Sequence, residues 1–271
     1  MCATCGCADV AGVRLDGVAV HEHGPDHAHG PVGHGHAHAP DPRPDHPHEQ
    51  AGHVVSLEQK VLAKNDQLAG RNREWLAAQG IVALNIMSSP GSGKTTLLER
   101  TIRETPRLRP VAVIEGDQET QLDAARIRAT GCDVVQVNTG AGCHLDADMV
   151  HRALVVLNPA QGSLVFVENV GNLVCPSLFD LGESAKVVVI SVTEGQDKPL
   201  KYPHMFAAAD LVVVNKTDLL PYVDFDVEVC VRHARSVNPR VEVVALSATS
   251  GTGMSDWHGW IASRWENRAD P

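Results

Sequence analysis

Aromatic residues are scarce, 4% of a 271-residue chain, so the core must be filled mainly by Val, Leu, Ile and Ala. The apolar total of 43% is ample for that purpose. No run approaches the roughly 18 apolar residues needed to span a bilayer. The N-terminus also lacks the basic-then-apolar order of a secretory signal, and a cytoplasmic protein is expected. Basic charge is in deficit: 23 Lys and Arg against 33 Asp and Glu leave a formal charge of −10. That balance argues against nucleic acid or an anionic membrane as the main partner. Seven cysteines, an odd number, suit thiolate ligands or reduced core thiols better than a disulfide framework. The length leaves room for one large or two small domains.

What is present is most informative at residues 81–98, IVALNIMSSPGSGKTTLL, an apolar strand-like run ending in a glycine-rich loop. Gly91, Ser92 and Gly93 let backbone N–H groups curl around a phosphate. Lys94 adds positive charge toward the β and γ oxygens, and Thr95, followed by Thr96, offers a hydroxyl to Mg2+. A helix starting near Lys94 aims its N-terminal dipole at the same anion. The usual G-x-x-x-x-G-K-[ST] pattern has glycine where this chain has Ser88.

The base is chosen further along. Residues 211–220 read LVVVNKTDLL, a buried parallel-strand run followed by Asn215, Lys216 and Asp218. A carboxylate at Asp218 accepts from guanine N1–H and its 2-amino group, a donor pair adenine does not have, so GTP is favoured over ATP. In VEVVALSA, Ser247 and Ala248 are placed to bring backbone donors to the guanine O6. Between these segments SLVFVENVG ends a strand in Glu168, with Gly171 three residues on in register to meet the γ-phosphate. PVAVIEGD ends in Glu115 and Asp117. Glu115, Asp117 or Glu168 can sit at Mg2+ or the attacking water, and Asp117 is favoured beside Glu168.

Composition shifts near residue 54. His21, His23, His27, His29, His34, His36, His38, His46, His48 and His53 lie in a stretch mixed with Gly, Pro, Ala and Asp, which has too little to bury to offset ordering. Residues 1–53 are expected to be a disordered metal-binding arm and 54–271 a P-loop GTPase domain with a leading helix. That helix opens at the capping-box pair Ser56 and Gln59, carries Leu57, Val61, Leu62, Leu68, Trp75 and Leu76 at helical intervals, and stops at Gly80. Strands then alternate with crossover helices, predicting an α/β, doubly wound, mostly parallel sheet with nucleotide at the carboxyl ends of its strands.

Three metal sites are legible. Cys2, Cys5 and Cys7 can place three thiolates on one ion, Ni2+ with a square-planar nitrogen or Zn2+ with tetrahedral closure. The histidine arm favours loose, multi-ion, pH-sensitive binding, hence storage. Cys143 and His144, with the distant Cys175, can supply a third site. Because Cys175 lies four residues after Gly171, hydrolysis can move it and couple metal affinity to nucleotide state. Cys132 and Cys230 read as core thiols.

Together CATCGC, the histidine arm, SSPGSGKTTLLE, VIEGDQET, GAGCHLDADM, VENVGNLVCP, TEGQDKPLKYP, NKTDLLPY and SATSGTGM closely resemble the hydrogenase nickel-incorporation GTPases. These accessory proteins help deliver nickel to [NiFe]-hydrogenase precursors. The resemblance implies a SIMIBI-like G domain, a slow Mg2+-dependent GTPase and a nucleotide-dependent homodimer. It also implies nickel at Cys2, Cys5 and Cys7, and nickel or zinc at Cys143, His144 and Cys175. The implied partners are other hydrogenase maturation proteins and the hydrogenase large-subunit precursor. The alternatives are a urease accessory GTPase, whose group carries a Cys-Pro-His motif where His144 here follows Cys143 directly, and a metal-storage protein with a vestigial nucleotide fold.

Overall fold

The computed structural model describes residues 14–15, 18–19, 48–105, 110–117, 122–140 and 142–266. Cys2, Cys5, Cys7 and the histidines from His21 to His46 lie outside the described residues, and of His48 and His53 only the backbone is described.

Seven strands pair in parallel: β3 (Val82–Ser88), β4 (Val111–Asp117), β5 (Asp133–Asn138), β6 (Leu164–Gly171), β7 (Ala185–Ser191), β8 (Leu211–Asn215) and β9 (Glu242–Ala245). Their spatial order is β5-β4-β6-β3-β7-β8-β9. Two-residue strands β1 (Arg14–Leu15) and β2 (Val18–Ala19) add an antiparallel rim at β5. After β3 the chain builds outward to β4 and β5, then returns through β6 and crosses to β7, β8 and β9. The loop leaving β3 therefore sits where strand order reverses, the place where doubly wound sheets bind ligands.

The β-branched runs are buried on both faces, as parallel strands require. On one face Val82, Leu84 and Ile86 pack with Leu97 and Leu98 of α2 (Lys94–Glu104), Ile127 of α3 (Leu122–Arg128) and the tryptophans of α8 (Met254–Glu266). On the other, Ile81 and Ala83 pack with Leu76 of α1 (His48–Ala78) and with Val150, Ala153 and Leu154 of α4 (Ala147–Leu157). Beyond the short helices α5 (Lys198–Lys201) and α6 (Pro203–Ala207), a third group joins Met205 and Phe206 to Cys230 and Ala234 of α7 (Val227–Val237) over β7 and β8. The few aromatics are concentrated: Trp257, Trp260 and Trp265 all lie buried on α8, and Trp257 Nε1 donates to Thr101 Oγ1 of α2 at 2.8 Å.

The leading helix departs from expectation twice. It starts at His48, so the Ser56–Gln59 pair does not cap it and the expected 53/54 boundary falls inside the helix. Its buried stripe is Asn65, Ala69, Asn72 and Leu76, whereas Val61 and Trp75 are 50% and 37% exposed. Hydrogen bonds set this face: Asn65 Nδ2 donates to Asp180 O at 2.8 Å, and Asn72 Nδ2 to Ala147 O at 2.8 Å and Leu181 O at 3.1 Å. A buried amide must find such partners, and here the two amides share the face with Leu76 and Leu62, while Val61 and Trp75 are left outside it.

Candidate nucleotide and metal sites

The loop from Ser89 to Gly93 is held from beneath by the turn after β8. Asn215 Nδ2 donates to Ser92 O at 2.9 Å and Lys216 Nζ to Gly91 O at 2.7 Å. Gly93 precedes α2 at φ 93°, and a Cβ there would lie 2.7 Å from Asn215 Nδ2, so only glycine permits this close approach. Lys94 Nζ donates to Ser88 Oγ at 2.8 Å, which gives the serine in place of the usual glycine a role. The buried Ser92 hydroxyl has no partner among the described residues. The first turn of α2 meanwhile presents backbone N–H groups without intrahelical partners. Ser89 Oγ also donates to Glu194, which accepts Ser191 N–H at 2.9 Å; sequence reasoning missed this brace.

Beside Lys94 the three candidate carboxylates come together. Glu115 of β4 and Glu168 of β6 are register partners, both buried, and Asp117 lies two residues beyond Glu115 on the same face. Thr95 Oγ1 donates to Glu168 Oε1 at 2.8 Å. Burial, then repulsion from Glu168, Asp117 and Asp123, pushes the Glu115 carboxyl up to about 9. Burial likewise raises Glu168, against the pull of Lys94 and the Thr95 hydrogen bond. Glu115 Oε2 and Glu168 Oε2 have no partner among the described residues. Oxygen atoms crowded beside a hydroxyl in this way fit a hard dication. Gly171 closes the site, since a Cβ there would lie 3.1 Å from Pro90 Cα. Across from them Arg126 of α3 donates to Thr96 Oγ1 at 3.0 Å and Glu99 Oε2 at 2.6 Å.

At the base end, Ser247 Oγ donates to Asp218 Oδ1 at 2.5 Å, a buttress no motif announced. The backbone donors expected at O6 are engaged within the protein: Ala248 N–H donates to Asn215 Oδ1 at 3.1 Å and Ser247 N–H to Thr252 O at 2.9 Å.

The metal residues also converge. The ligating atoms of Cys143, His144 and Cys175 all lie within 4.8 Å of one another, although 30 residues of sequence separate the second cysteine from His144. Cys143 and His144 precede α4, which Asp146 caps by accepting Met149 N–H at 2.8 Å, and Cys175 follows β6. Burial lowers the His144 imidazole below its ordinary range, with Asp146 acting the other way, so its neutral form has a lone pair to give. The ring stacks on Phe179 at 3.9 Å. Asn172 Nδ2, donating to Cys143 O at 3.4 Å, ties the two ligand segments.

Around this cluster runs a buried amide network that motif reading passed over. Leu145 N–H donates to Asn169 Oδ1 at 3.1 Å, Asn169 Nδ2 to Asn85 Oδ1 at 3.3 Å, and Asn85 Nδ2 to Glu183 Oε1 at 3.2 Å. The signal was available, because Asn85 and Asn169 interrupt apolar strands and a polar group buried there must be paired.

A doubly wound parallel sheet with a phosphate loop at its reversal point, braced by an Asn-Lys-x-Asp turn, defines a P-loop nucleotide-binding protein of the G-domain kind. The family described as CobW/HypB/UreG, nucleotide-binding domain, matches residues 82–245. The hydrogenase maturation factor HypB of Azotobacter vinelandii is 61% identical over 208 residues, 77% of this chain and 69% of that protein. Its counterpart in Escherichia coli K12 is 58% identical over 211 residues, 78% of this chain and 73% of that one. The crystal structure of HypB from Helicobacter pylori in complex with nickel superposes with a TM-score of 0.71 at 36% identity, covering 75% of this chain and 96% of that one. HypB from Archaeoglobus fulgidus superposes with a TM-score of 0.70 at 40% identity, covering 75% and 99%. The chain belongs to the HypB family of hydrogenase maturation factors.

Proposed function

We propose that this chain is a GTP-hydrolysing nickel carrier that stores nickel and helps insert it into a [NiFe]-hydrogenase precursor, in concert with other maturation proteins. The observation that carries the reading is that one strand serves two sites. β6 presents Glu168 to Thr95, and the segment leaving it delivers Cys175 to Cys143 and His144.

In this reading GTP is the substrate, its phosphates cradled by the amides of residues 91–96 and by Lys94, its base read by Asp218. Thr95, Glu168 and either Glu115 or Asp117 would hold magnesium, which when bound neutralises charge on the phosphates. Lys94 and the loop amides stabilise the charge developing on the transferring phosphoryl group, and Gly171 N–H meets its γ-oxygens. No arginine is assigned to the phosphates, so slow hydrolysis is expected, quickened by a partner or by the second subunit of a nucleotide-dependent dimer. Nickel is cargo: Cys2, Cys5 and Cys7 take it up, the histidine arm buffers it, and Cys143, His144 and Cys175 form a nickel or zinc site linked to nucleotide state. Two thiolates and a neutral imidazole suit either ion.

The test is GTP turnover with magnesium together with metal analysis of the purified protein in GDP and in a non-hydrolysable GTP analogue. Turnover, and a nickel affinity that differs between the nucleotide states, are expected. A protein that binds nickel without hydrolysing GTP would instead be a storage protein with a vestigial fold.

A further inference from the structure

Glu168 and Asn169 are consecutive on β6, and consecutive strand residues face opposite sides of a sheet. Glu168 accepts the Thr95 hydroxyl at 2.8 Å on the nucleotide side. Asn169, 1% exposed, accepts Leu145 N–H at 3.1 Å on the other. Leu145 is the residue after His144 and is fully buried. Its side chain lies against Gly116, where a Cβ would stand 2.8 Å from Leu145 Cδ1, and Gly116 is flanked by Glu115 and Asp117. Leu145 thus touches both strands that carry the nucleotide-site carboxylates, one through a hydrogen bond and the other through its methyl groups.

We propose that Asn169 and Leu145 are positioning residues that transmit nucleotide occupancy to the geometry of the Cys143–His144–Cys175 cluster. The proposal rests on the linkage between nucleotide and metal put forward above and supplies its route.

The far side of the loop is anchored, which gives the route its direction. Ala147 N–H donates to Asn65 Oδ1 at 2.9 Å and Ala147 O accepts Asn72 Nδ2 at 2.8 Å, so α1 holds the start of α4 by both backbone polar groups of one residue. A shift of the β4 and β6 ends against each other, as their carboxylates close on ligand, meets α4 fixed and is taken up in residues 143–146. Close-packed interiors transmit such shifts instead of absorbing them. The path from Gly171 to Cys175 reaches the third ligand from the same strand, so a shift of β6 acts on both ligand segments. Asn172, bonded to Cys143 O, ties the two segments to each other.

The experiment uses the full chain with Cys2, Cys5 and Cys7 changed to Ser, so that thiolate-to-nickel absorption reports the Cys143–Cys175 site. Nickel is titrated in GDP and in a non-hydrolysable GTP analogue, and the ratio of the two affinities is the readout, in which binding by the histidines cancels. A ratio of at least about fivefold is expected, within the usual range of coupling. Asn169→Ala should bring it to within about twofold of one, while GDP affinity and the nickel absorption band persist. Asn169→Asp, which keeps the acceptor for Leu145 N–H, should retain the ratio. A wild-type ratio in Asn169→Ala, or loss of the ratio in a folded Asn169→Asp, overturns the proposal. If the alanine variant fails to bind GDP, Leu145→Val, which shortens the contact with Gly116, decides: a diminished ratio supports the link and an unchanged one overturns it. Equal affinities in the parent protein would reject the linkage itself, a different failure read before any substitution at 145 or 169.

Discussion

Lys94 lies on Ser88 Oγ and Thr95 on Glu168 Oε1, so each is positioned by the protein before any phosphate arrives. Lys94→Ala and Thr95→Ala should each lower GTP turnover by about 100-fold or more, read as phosphate release at saturating nucleotide; wild-type turnover in either would remove these residues from the site. Asp218 is legible as the reader of guanine, and Asp218→Asn should weaken GTP and strengthen xanthosine triphosphate, since an amide donor would meet the xanthine oxygen. An unchanged preference for GTP in competition binding would reject that role. The Ser247 hydroxyl that buttresses Asp218 was not legible, because a serine in a turn has many uses and only the fold brings it 29 residues back along the chain. Cysteines divide by environment. Burial pushes the Cys132 thiol up to about 12, with Asp133 adding to it, and burial pushes Cys230 up to about 11. A raised thiol pKa keeps the nucleophilic thiolate absent until pH approaches that value. In native protein at pH 8, iodoacetamide should therefore leave both unmodified and label them only after unfolding. Peptide mass mapping showing prompt native labelling of Cys132 would contradict this environment.

Among the elements, the seven parallel strands and most crossover helices were readable because β-branched runs and Gly or Asp punctuation carry local signals, whereas the two-residue strands β1 and β2 fall in the stretch expected to be a disordered arm. The leading helix was readable as a helix and its face only in part. Leu76 is buried and Leu62 packs on the core, as the apolar spacing expects, but Val61 and Trp75 are exposed, and the buried positions include Asn65 and Asn72, whose partners lie 75 to 115 residues away. Such long-range pairing has no local signature. Asn72→Ala should destabilise the protein by about 2–4 kcal/mol, since Ala147 O and Leu181 O both lose a buried donor. Trp75→Ala, at a partly exposed site, should cost less. Urea unfolding of the two variants checks the order, and a larger loss at Trp75 would restore the apolar reading. The short helices α5 and α6 and the short 3₁₀ segments Cys175–Leu178 and Thr217–Tyr222 were not foreseen, because elements this short carry little periodicity to read.

For the whole molecule, the site was most legible where a motif is contiguous and least where two distant segments meet. Cys143, His144 and Cys175 were assembled in advance by their nearness to recognised motifs, while the amide network joining them to the sheet was not. Removing residues 21–47, which carry eight of the histidines and end before α1 begins, should reduce the nickel ions bound per chain and leave GTP turnover unchanged. Equal nickel stoichiometry in the truncated protein, by atomic absorption, would end the storage role of the arm. Three of the chain's four indoles lie on α8, and Trp257 reaches across to Thr101 on the helix that follows the phosphate loop. Excitation selective for indole therefore illuminates mainly the nucleotide half of the sheet, with Trp75 the lone tryptophan on the metal half. Fluorescence quenching by a water-soluble agent should resolve the two populations, giving each half of the molecule an optical signature without any added dye.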